Sequence, residues 1–415
     1  MKTPVPTNGK EKRKTRVAVI GTVGLPACYG GFETLAEHLA TNMSETCDMT
    51  VYCSGKKYKK SERLKTYKGA KLVYIPLDAN GKSSILYDCL SILHAVLFSD
   101  VLIVLGVSGG FLFPFVKWFT RRKLIVSIDG IEWKRAKWGK YARWYLWLAE
   151  YLAVKFSDAD IADNEAIQDY TAIRYKSLSH IIEYGADHAS FQEPLPEDRI
   201  NYPFLNNPYY FSVCRIEPEN NVHILLQAFS GFQDKTYVFV GNWNHSDYGK
   251  ALREKYSAFP NLIILDPIYD QRTLDVLRST AIAYVHGHSA GGTNPSLVEA
   301  MYLGCAVIAF GVKYNVTTTQ GRAVYFKDAR SLIEILNTID QSKLDENASI
   351  MKQIALKRYT WETIASRYLH LVKRVYEGRP SKRLVSIASR VLRKEEFDQL
   401  GIPHLRHTYH FFEKR

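Results

Sequence analysis

The sequence predicts an α/β protein built from two parallel-sheet domains that face a cleft. The first observation is that short apolar strand segments alternate with segments of helical period, which implies parallel sheets covered on both faces. The second is a polar, proline-rich interruption at residues 189–210 that separates two such series and indicates a linker. The third is a glycine-rich loop between a strand and a helix in each series.

The first series contains the longest apolar stretch of the chain, residues 101–116. A glycine pair and a proline divide it, and it is short for a membrane span, so we expect a buried parallel strand there. The strands predicted in this series are Val17–Ile20, Met49–Cys53, Lys71–Ile75, Val101–Leu105, Lys123–Ile128, Ala159–Asp163 and His180–Glu183.

The second series repeats the pattern with its own strands and helices. Because ligands of parallel sheets bind outside the carboxyl ends of the strands, we expect the site in the cleft between the two domains. The predicted strands are Tyr210–Cys214, Thr236–Val240, Leu262–Leu265, Ile282–Val285 and Ala306–Ala309, with helices at Val222–Phe229 and Asn294–Tyr302 among those between them.

The expected organisation has five parts. A disordered basic lead precedes the first domain, and a long helix that crosses back to the first domain follows the second. The parts are the lead (1–15), the N-terminal domain (16–200), the C-terminal domain (201–358), the crossing helix (359–378) and a basic tail without an assigned role (379–415).

Composition limits the class of protein and its partners. With 415 residues and 46% hydrophobic content, the chain is long and apolar enough for two or more cores, which excludes disorder for most of it. The net charge of +13 favours an anionic partner, and no nucleic-acid recognition motif is present. Six cysteines without paired spacing indicate a reducing compartment and no structural zinc. The first residues lack the apolar core of a signal peptide.

The first glycine-rich loop, "GTVGLPACYGGFE" at 21–33, follows a strand and opens a helix. Unpaired N–H groups at a helix start, with glycines that allow close approach, can hold a phosphate. Gly21 and Gly24 do not fit the dinucleotide spacing, and Ser54 stands where that motif needs a carboxylate after the second strand. A nicotinamide or flavin enzyme is therefore disfavoured, and a tight turn without ligand remains the alternative.

The second loop, "HGHSAGGTNPSLVEAM" at 286–301, repeats this arrangement. Asn294 is the expected N-cap, and Glu299 lies about one turn into the helix. A carboxylate there can accept hydrogen bonds from the vicinal hydroxyls of a ribose, while the alternative is an acidic residue favoured by the helix dipole. His286 and His288 lack a nearby third ligand, so no metal site is predicted.

Five motifs in order, "PACYGGFE", "ADNEAIQDY", "YGAD", "CRIEPENN" and "GGTNPSLVEAM", resemble those of retaining glycosyltransferases of family 4, which have two Rossmann-like domains in the GT-B architecture. The likeness spans residues 16–378 and is greatest to the bacterial rhamnosyltransferase-like branch of cell-surface polysaccharide synthesis. It implies transfer of a sugar, with retention, from a nucleotide diphosphate donor to a glycan or lipid-linked acceptor, without metal or other cofactor. The expected donor is dTDP-rhamnose, with UDP- and GDP-sugars as alternatives.

The resemblance also implies roles for individual residues. The ribose-binding glutamate of the family falls on Glu299, and its basic diphosphate residue falls on Arg215, which would neutralise the leaving group. Its glycine pair beside the diphosphate falls on Gly30 and Gly31. An ion pair with a neighbouring glutamate is the alternative for Arg215.

Two positions depart from the family pattern. Gly291 stands where many members carry a glutamate that binds the donor sugar, and Asn220 stands where many carry a lysine. The donor sugar is then left to Gly292, Thr293 and Asn294, and Ser296 completes the predicted donor site.

Acceptor binding is expected on the N-terminal domain. Asp129 follows a strand at the cleft and is the candidate for a polar residue, or base, beside the acceptor hydroxyl; the alternative is a helix N-cap. The aromatic helix at 138–156 fits either a lipid interface or a core.

Basic residues outnumber acidic ones at both ends of the chain, which favours an anionic membrane surface as a partner. We expect a cytoplasmic protein held peripherally at the inner face of the cell membrane. A sugar-nucleotide epimerase and a noncatalytic nucleotide-sugar-binding partner of an assembly complex are the alternative functions.

Overall fold

The computed structural model describes residues 13–28, 30–128, 130–134 and 138–383. It contains two sheets of mostly parallel strands with helices on both faces, which confirms the predicted fold class. Asp129, most of the basic lead and the tail beyond residue 383 lie outside the described residues.

The first sheet has the strand order β3-β4-β2-β1-β5-β6-β7-β8. The order in which successive strands are added reverses between β1 and β5: β2 and β4 lie on one side of β1, and β5 to β8 lie on the other. At such a reversal a crevice opens beyond the carboxyl ends of the two strands. The strands are β1 Thr15–Ile20, β2 Cys47–Ser54, β3 Thr66–Tyr67, β4 Ala70–Ile75, β5 Val101–Leu105, β6 Lys123–Ile128, β7 Ala159–Ala162 and β8 His180–Ile181; the helices are α1 Gly31–Met43, α2 Ser84–Phe98, α3 Phe113–Phe119, α4 Lys140–Phe156 and α5 Glu165–Tyr175.

The second sheet has the order β11-β10-β9-β12-β13-β14 and reverses between β9 and β12. Its strands are β9 Tyr209–Val213, β10 Thr236–Val240, β11 Leu262–Leu265, β12 Ala283–His286, β13 Ala306–Phe310 and β14 Val324–Phe326. The helices of this part are α6 Pro196–Asn201, α7 Val222–Phe229, α8 Asp247–Tyr256, α9 Gln271–Ser279, α10 Pro295–Leu303, α11 Lys313–Thr318, α12 Ala329–Thr338 and α13 Gln341–Arg358, followed by α14 Trp361–Tyr376.

Every strand predicted from the sequence is present, with ends that differ by at most two residues. The strands that the sequence did not reveal are β3, which pairs antiparallel with β4, and β14, both too short for a periodic signal. The segment 189–210 is not an extended linker throughout, because it contains α6. Ala186 and Ala189 already belong to the core of the second sheet.

Two further sequence predictions concern packing. In the apolar stretch 101–116, β5 is fully buried and is followed by the start of α3, as expected. The helix α14 comes after the second domain, yet its buried residues join the core of the first sheet, where the helix packs against α1. No helix within the described ranges combines the length and apolarity needed to cross a bilayer.

The aromatic helix α4 buries one side against the first sheet. Glu150 is fully buried there and forms an ion pair with Arg174 of α5 at 2.8 Å, while Tyr170 and Tyr175 donate hydrogen bonds to the same carboxylate. Tyr141 and Trp144, near the start of the helix, remain exposed. The helix therefore packs one side in the core and exposes aromatic side chains on the other, so its core side is present and its exposed aromatic residues stay available to an interface.

The described start of the basic tail, residues 379–383, lies against the first domain. Lys382 forms an ion pair with buried Asp160 at 2.7 Å and donates a hydrogen bond to Ser157 at 3.0 Å. His180 of β8 lies within hydrogen-bond distance, 2.7 Å, of the backbone carbonyl of Ser381. This part of the tail is thus tied to the edge of the first sheet.

The helix α2 buries a carboxyl group, and this gives a testable pH dependence. Burial raises the pKa of Asp88 to about 8, although a hydrogen bond from Ser108 acts in the opposite direction. Between pH 4 and 8 the folded chain keeps a proton that the unfolded chain releases, so this group lowers the free energy of unfolding as pH rises. Each pH unit in that window changes it by about 1.4 kcal/mol.

We expect Asp88→Asn to remove this fall in the free energy of unfolding with rising pH. Its free energy of unfolding, measured with denaturant at pH 5 and pH 7, should exceed that of the wild type by more at pH 7 than at pH 5. The exposed Asp78→Asn serves as control and should give the wild-type pH profile. Parallel pH profiles for Asp88→Asn and the wild type would show that the carboxyl group is ionised in the folded state.

Candidate functional site

The predicted site segments flank the reversal points of the two sheets. The first glycine-rich loop follows β1, the segment with Arg215 follows β9, and the second glycine-rich loop follows β12. A side chain built at Gly31 would have its Cβ 3.6 Å from Pro295 Cγ, so the first loop contacts the start of α10 across the cleft. The tertiary structure therefore brings both loops to one place, as the sequence predicted.

The first loop is fixed by buried groups around it. Glu33, in the first turn of α1, accepts a hydrogen bond from the backbone N–H of Val23 at 3.0 Å, and burial raises the pKa of its carboxyl group. Tyr184 donates a hydrogen bond to the carbonyl of Gly31. Gly30 has φ +132°, which only glycine adopts readily. The loop thus presents a preset backbone at the cleft.

Arg215 lies just beyond the end of β9. Its side chain is 49% exposed and is 3.7 Å from Glu217, a long ion pair that leaves the guanidinium able to contact a ligand. Asn220 is buried, and its side-chain amide donates a hydrogen bond to the carbonyl of Arg215 at 2.7 Å. The residue that replaces the expected lysine therefore supports the backbone of the loop and adds no charge.

Glu299 is buried in α10 and holds two partners. Arg278 of α9 lies 2.5 Å from Oε2, and His188 lies 3.2 Å from Oε1. Burial by itself would raise the pKa of Glu299, but Arg278 and His188 outweigh it, so the pKa lies below its usual value. The carboxylate is charged at neutral pH, and each oxygen retains a second lone pair for a ligand hydroxyl.

His188 connects this carboxylate to the last helix. The indole N–H of Trp361 donates to Nδ1 of His188 at 3.0 Å, so the other ring nitrogen, Nε2, is the one that donates to Glu299. Asp187 accepts a hydrogen bond from the backbone N–H of Trp361 at 2.7 Å. The motif "YGAD" and the residue after it therefore tie α14 to the site.

The loop before α10 packs against the first domain. The backbone N–H of Thr293 donates to Asp163 Oδ2 at 3.1 Å, and its hydroxyl donates to the carbonyl of Asp163. A side chain at Gly292 would collide with the carboxylate of Asp163, so only glycine fits this close approach. Two residues predicted to bind the donor sugar thus also join the domains.

The start of α10 is capped as the sequence predicted. The side chain of Asn294 accepts hydrogen bonds from the backbone N–H of Ser296 at 3.2 Å and from its hydroxyl at 2.8 Å. The hydroxyl of Tyr284 is 2.9 Å from that of Ser296. Pro295 has no N–H, and the N–H groups of Leu297 and Val298 donate to the carbonyl of Asn294 at 3.1 and 3.2 Å. The start of α10 therefore favours an anion through the helix dipole rather than through free N–H groups.

Gly291 and Gly130 meet across the cleft. A Cβ at Gly130 would lie 3.4 Å from the Cα of Gly291, so the chain beside Asp129 comes close to the second glycine-rich loop. Space for a side chain at Gly291 itself is open, although its φ of +121° favours glycine. The position at which the resemblance expects a glutamate therefore borders open space.

His286, the last residue of β12, is buried, and His288 after it is half-buried. The rings of His286 and His288 stack with centroids 4.4 Å apart, and burial lowers the pKa of His286 to about 3. His286 is therefore neutral at physiological pH and packs as part of the wall behind the loop.

Sequence reasoning did not find Arg278, His188 or Asp163 as site residues. Arg278 lies in an ordinary amphipathic helix and gave no signal. Asp163 lies in the motif "ADNEAIQDY", and His188 directly follows the motif "YGAD". The two motifs were therefore the features of the sequence that could have indicated these residues.

Comparison with protein families matches the two domains separately. Residues 14–187 match a family described as a domain of unknown function, DUF1972, and residues 196–355 match the family described as glycosyl transferases group 1. A search of curated proteins gave no match to the chain.

Solved structures with the same architecture include sugar-transferring enzymes. Sucrose-phosphate synthase from Thermosynechococcus elongatus is 16% identical, with a TM-score of 0.73 over 88% of this chain and 100% of that one. Anabaena HepE, solved with UDP and glucose, is 17% identical, with a TM-score of 0.64 over 86% and 99%. The α,α-trehalose 6-phosphate synthase of Burkholderia multivorans is 11% identical, with a TM-score of 0.67 over 92% and 100%. At these identities the likeness establishes the fold, which is GT-B.

The matched group 1 domain and the shared fold together support the assignment of this chain as a glycosyltransferase of the GT-B architecture.

Proposed function

We propose that the protein transfers a sugar, with retention, from a nucleotide diphosphate donor to a glycan or lipid-linked acceptor in cell-surface polysaccharide synthesis. The observation that carries the proposal is the meeting of two helix starts across the cleft, next to a strand that is followed by an exposed arginine. Gly31 and Pro295 face each other across the cleft, and Arg215 follows the strand at the adjacent reversal point. Two helix N-termini and a guanidinium together favour a diphosphate.

In this proposal the nucleotide lies on the second domain. Glu299 accepts hydrogen bonds from the hydroxyls of the nucleotide sugar, which are both ribose hydroxyls in UDP or GDP and the 3′-hydroxyl alone in dTDP. Arg278 and His188 keep its carboxylate charged and oriented. The diphosphate lies between Arg215 and the backbone of Gly30 and Gly31, and the sugar lies toward residues 291–294. The support for this arrangement is positional, since each of these groups borders the same cleft.

Transfer then breaks the bond between the anomeric carbon and the diphosphate and forms a bond from that carbon to the acceptor oxygen on the same face. Negative charge grows on the leaving phosphate, where Arg215 and the helix starts stabilise it. The acceptor proton passes to the departing diphosphate oxygen. Asp129 is proposed as the polar group beside the acceptor hydroxyl, because Gly130 lies at the glycine loop of the donor side.

The proposed donor is dTDP-rhamnose, with UDP- and GDP-sugars as the competing donors. The proposed acceptor is lipid-linked, and the protein would act at the anionic inner face of the membrane. No metal or other cofactor is invoked, because Arg215 and the helix starts supply the positive charge. Labelled donor incubated with membranes that contain lipid-linked glycans tests the proposal: labelled lipid supports it, donor conversion without acceptor would indicate an epimerase, and binding without turnover a noncatalytic partner.

Arg215→Ala should weaken diphosphate binding. Calorimetry with dTDP, UDP and GDP should show a loss of about tenfold for the nucleotide that the wild type binds, as expected for one charge-assisted hydrogen bond. The nucleoside alone should bind both proteins equally. Arg330→Ala removes a comparable exposed arginine from a surface ion pair on α12 and should change nothing. Equal diphosphate affinity in Arg215→Ala and the wild type would refute the proposal that the diphosphate lies beside Arg215.

Glu299→Gln should weaken nucleotide binding in proportion to the ribose hydroxyls available. UDP and GDP offer two vicinal hydroxyls and dTDP offers one, so the loss should be larger for the ribonucleotides, at about 1.5–3 kcal/mol for each hydrogen bond lost to the charged acceptor. The same calorimetry measures it.

The matched control is Asp275→Asn, since Asp275 also lies beside Arg278, at 3.6 Å, but outside the proposed ribose site. It should keep nucleotide affinity even if it lowers the melting temperature. A similar loss of affinity in both variants would mean that Glu299 acts only by balancing the charge of Arg278.

A further inference from the structure

The helix α2 buries three polar groups and exposes a row of leucines. Tyr87, Asp88 and Ser91 are buried against the first sheet together with Ile92 and Ala95. Beside the exposed His94 and Phe98, four exposed leucines have exposures between 44% and 67%; they are Leu86, Leu90, Leu93 and Leu97. These leucines are spaced four, three and four residues apart, so they form one stripe along the helix.

The helix α3 and the turn before it carry a second stripe. Its exposures range from 48% to 79%, and its residues are Phe111, Phe115, Trp118 and Phe119. The rings of Phe115 and Phe119 stack with centroids 6.5 Å apart, and Trp118 packs edge-on against Phe156 of α4. The aromatic stripe is therefore a packed surface.

The two stripes lie on the same side of the sheet. Buried residues of α2, α3 and α4 all contribute to one core, so these helices cover one face. Arg122, after α3, donates a hydrogen bond to the carbonyl of Val96 in α2 at 2.8 Å, which links the ends of the helices. We call the leucine stripe and the aromatic stripe together the apolar face. The exposed apolar side chains of both stripes therefore lie on one face of the first domain, and clusters of this kind mark interaction surfaces.

The charges around the apolar face are complementary to an anionic bilayer. Residues 81–99 and 109–122 contain one acidic residue, Asp88, and it is buried. Lys117 forms an ion pair with Asp158 at 2.6 Å, and Arg122 forms one with Asp100 at 3.3 Å. Each of these two carboxylates also pairs with further basic residues, which are Lys123 for Asp158 and Arg13 and Arg16 for Asp100. Arg121 is exposed, so basic groups exceed acidic ones at this end of the face. Aromatic and leucine side chains beside basic residues, without exposed acidic ones, are the composition of a surface that inserts into the lipid headgroup region.

The direction of the helices also fits this partner. Each helix that follows a parallel strand begins at the carboxyl edge of the sheet, which is the cleft edge. Leu86 and Phe111 therefore lie at the cleft end of the apolar face. The helix α4 begins at the same edge, so its exposed Tyr141 lies there too. A bilayer on this face would bring the headgroup of a lipid-linked molecule to the entrance of the cleft.

We propose that the apolar face of α2 and α3 docks the protein on an anionic lipid bilayer. This inference deepens the proposed function, because it gives the surface from which a lipid-linked acceptor would enter. Docking needs neither donor nor turnover, so it is tested separately from sugar transfer.

The test is sedimentation of the full chain with phosphatidylcholine vesicles, with and without phosphatidylglycerol. The wild type should bind the anionic vesicles more tightly than the neutral ones. Leu97→Ser and Trp118→Ser should each reduce binding about tenfold, from the lost burial of one large apolar side chain. Arg121→Ala should reduce binding to anionic vesicles about fivefold and leave binding to neutral vesicles unchanged.

Ile200→Ser is the matched control, since Ile200 is 76% exposed on α6 of the second domain. It should bind vesicles as the wild type does. All variants should keep wild-type nucleotide affinity in the absence of lipid, which separates failed docking from a failed donor site. Wild-type vesicle binding by Leu97→Ser and Trp118→Ser would overturn the proposal, as would a wild-type dimer that Trp118→Ser converts to monomer without any vesicle binding.

Discussion

The buried charge of Glu299 is the interaction on which the candidate site depends. A carboxylate removed from water is costly unless it is paired, and Arg278 at 2.5 Å supplies the pairing. His188 contacts the same carboxylate through Nε2 and accepts a hydrogen bond from Trp361 at its other ring nitrogen, Nδ1. One buried anion thus fixes α9, α10, the inter-domain segment and the last helix relative to one another.

The cleft is held by contacts between main chain and short polar groups. Asp163 binds Thr293, and the next residue, Asn164, donates hydrogen bonds to the carbonyl of Tyr314 at 3.2 Å and the hydroxyl of Thr318 at 3.0 Å. These contacts join the carboxyl ends of the two sheets at the loop that the sequence predicts to bind the donor. The same loop therefore holds the two domains together.

The first domain has two unlike helical faces. On one face α1 and α14 bury their apolar sides in the usual way, and α14 is supplied by the far end of the chain. On the other face α2 turns Asp88 inward and its leucines outward. Burial raises the pKa of the inward carboxyl group to about 8, so at neutral pH it stays mostly protonated against the sheet.

The sequence by itself determined the fold class, almost every strand, the capping of α10 by Asn294 and the place of the two glycine-rich loops after strands of the two sheets. These features follow from local rules, because strand period, glycine and cap residues act within a few positions of the chain. Only the tertiary structure decided the partners of Glu299, the approach of Gly292 to Asp163 and the outward direction of the leucines in α2. Those depend on contacts between residues far apart in the chain, and an amphipathic pattern does not say which of its faces will be covered.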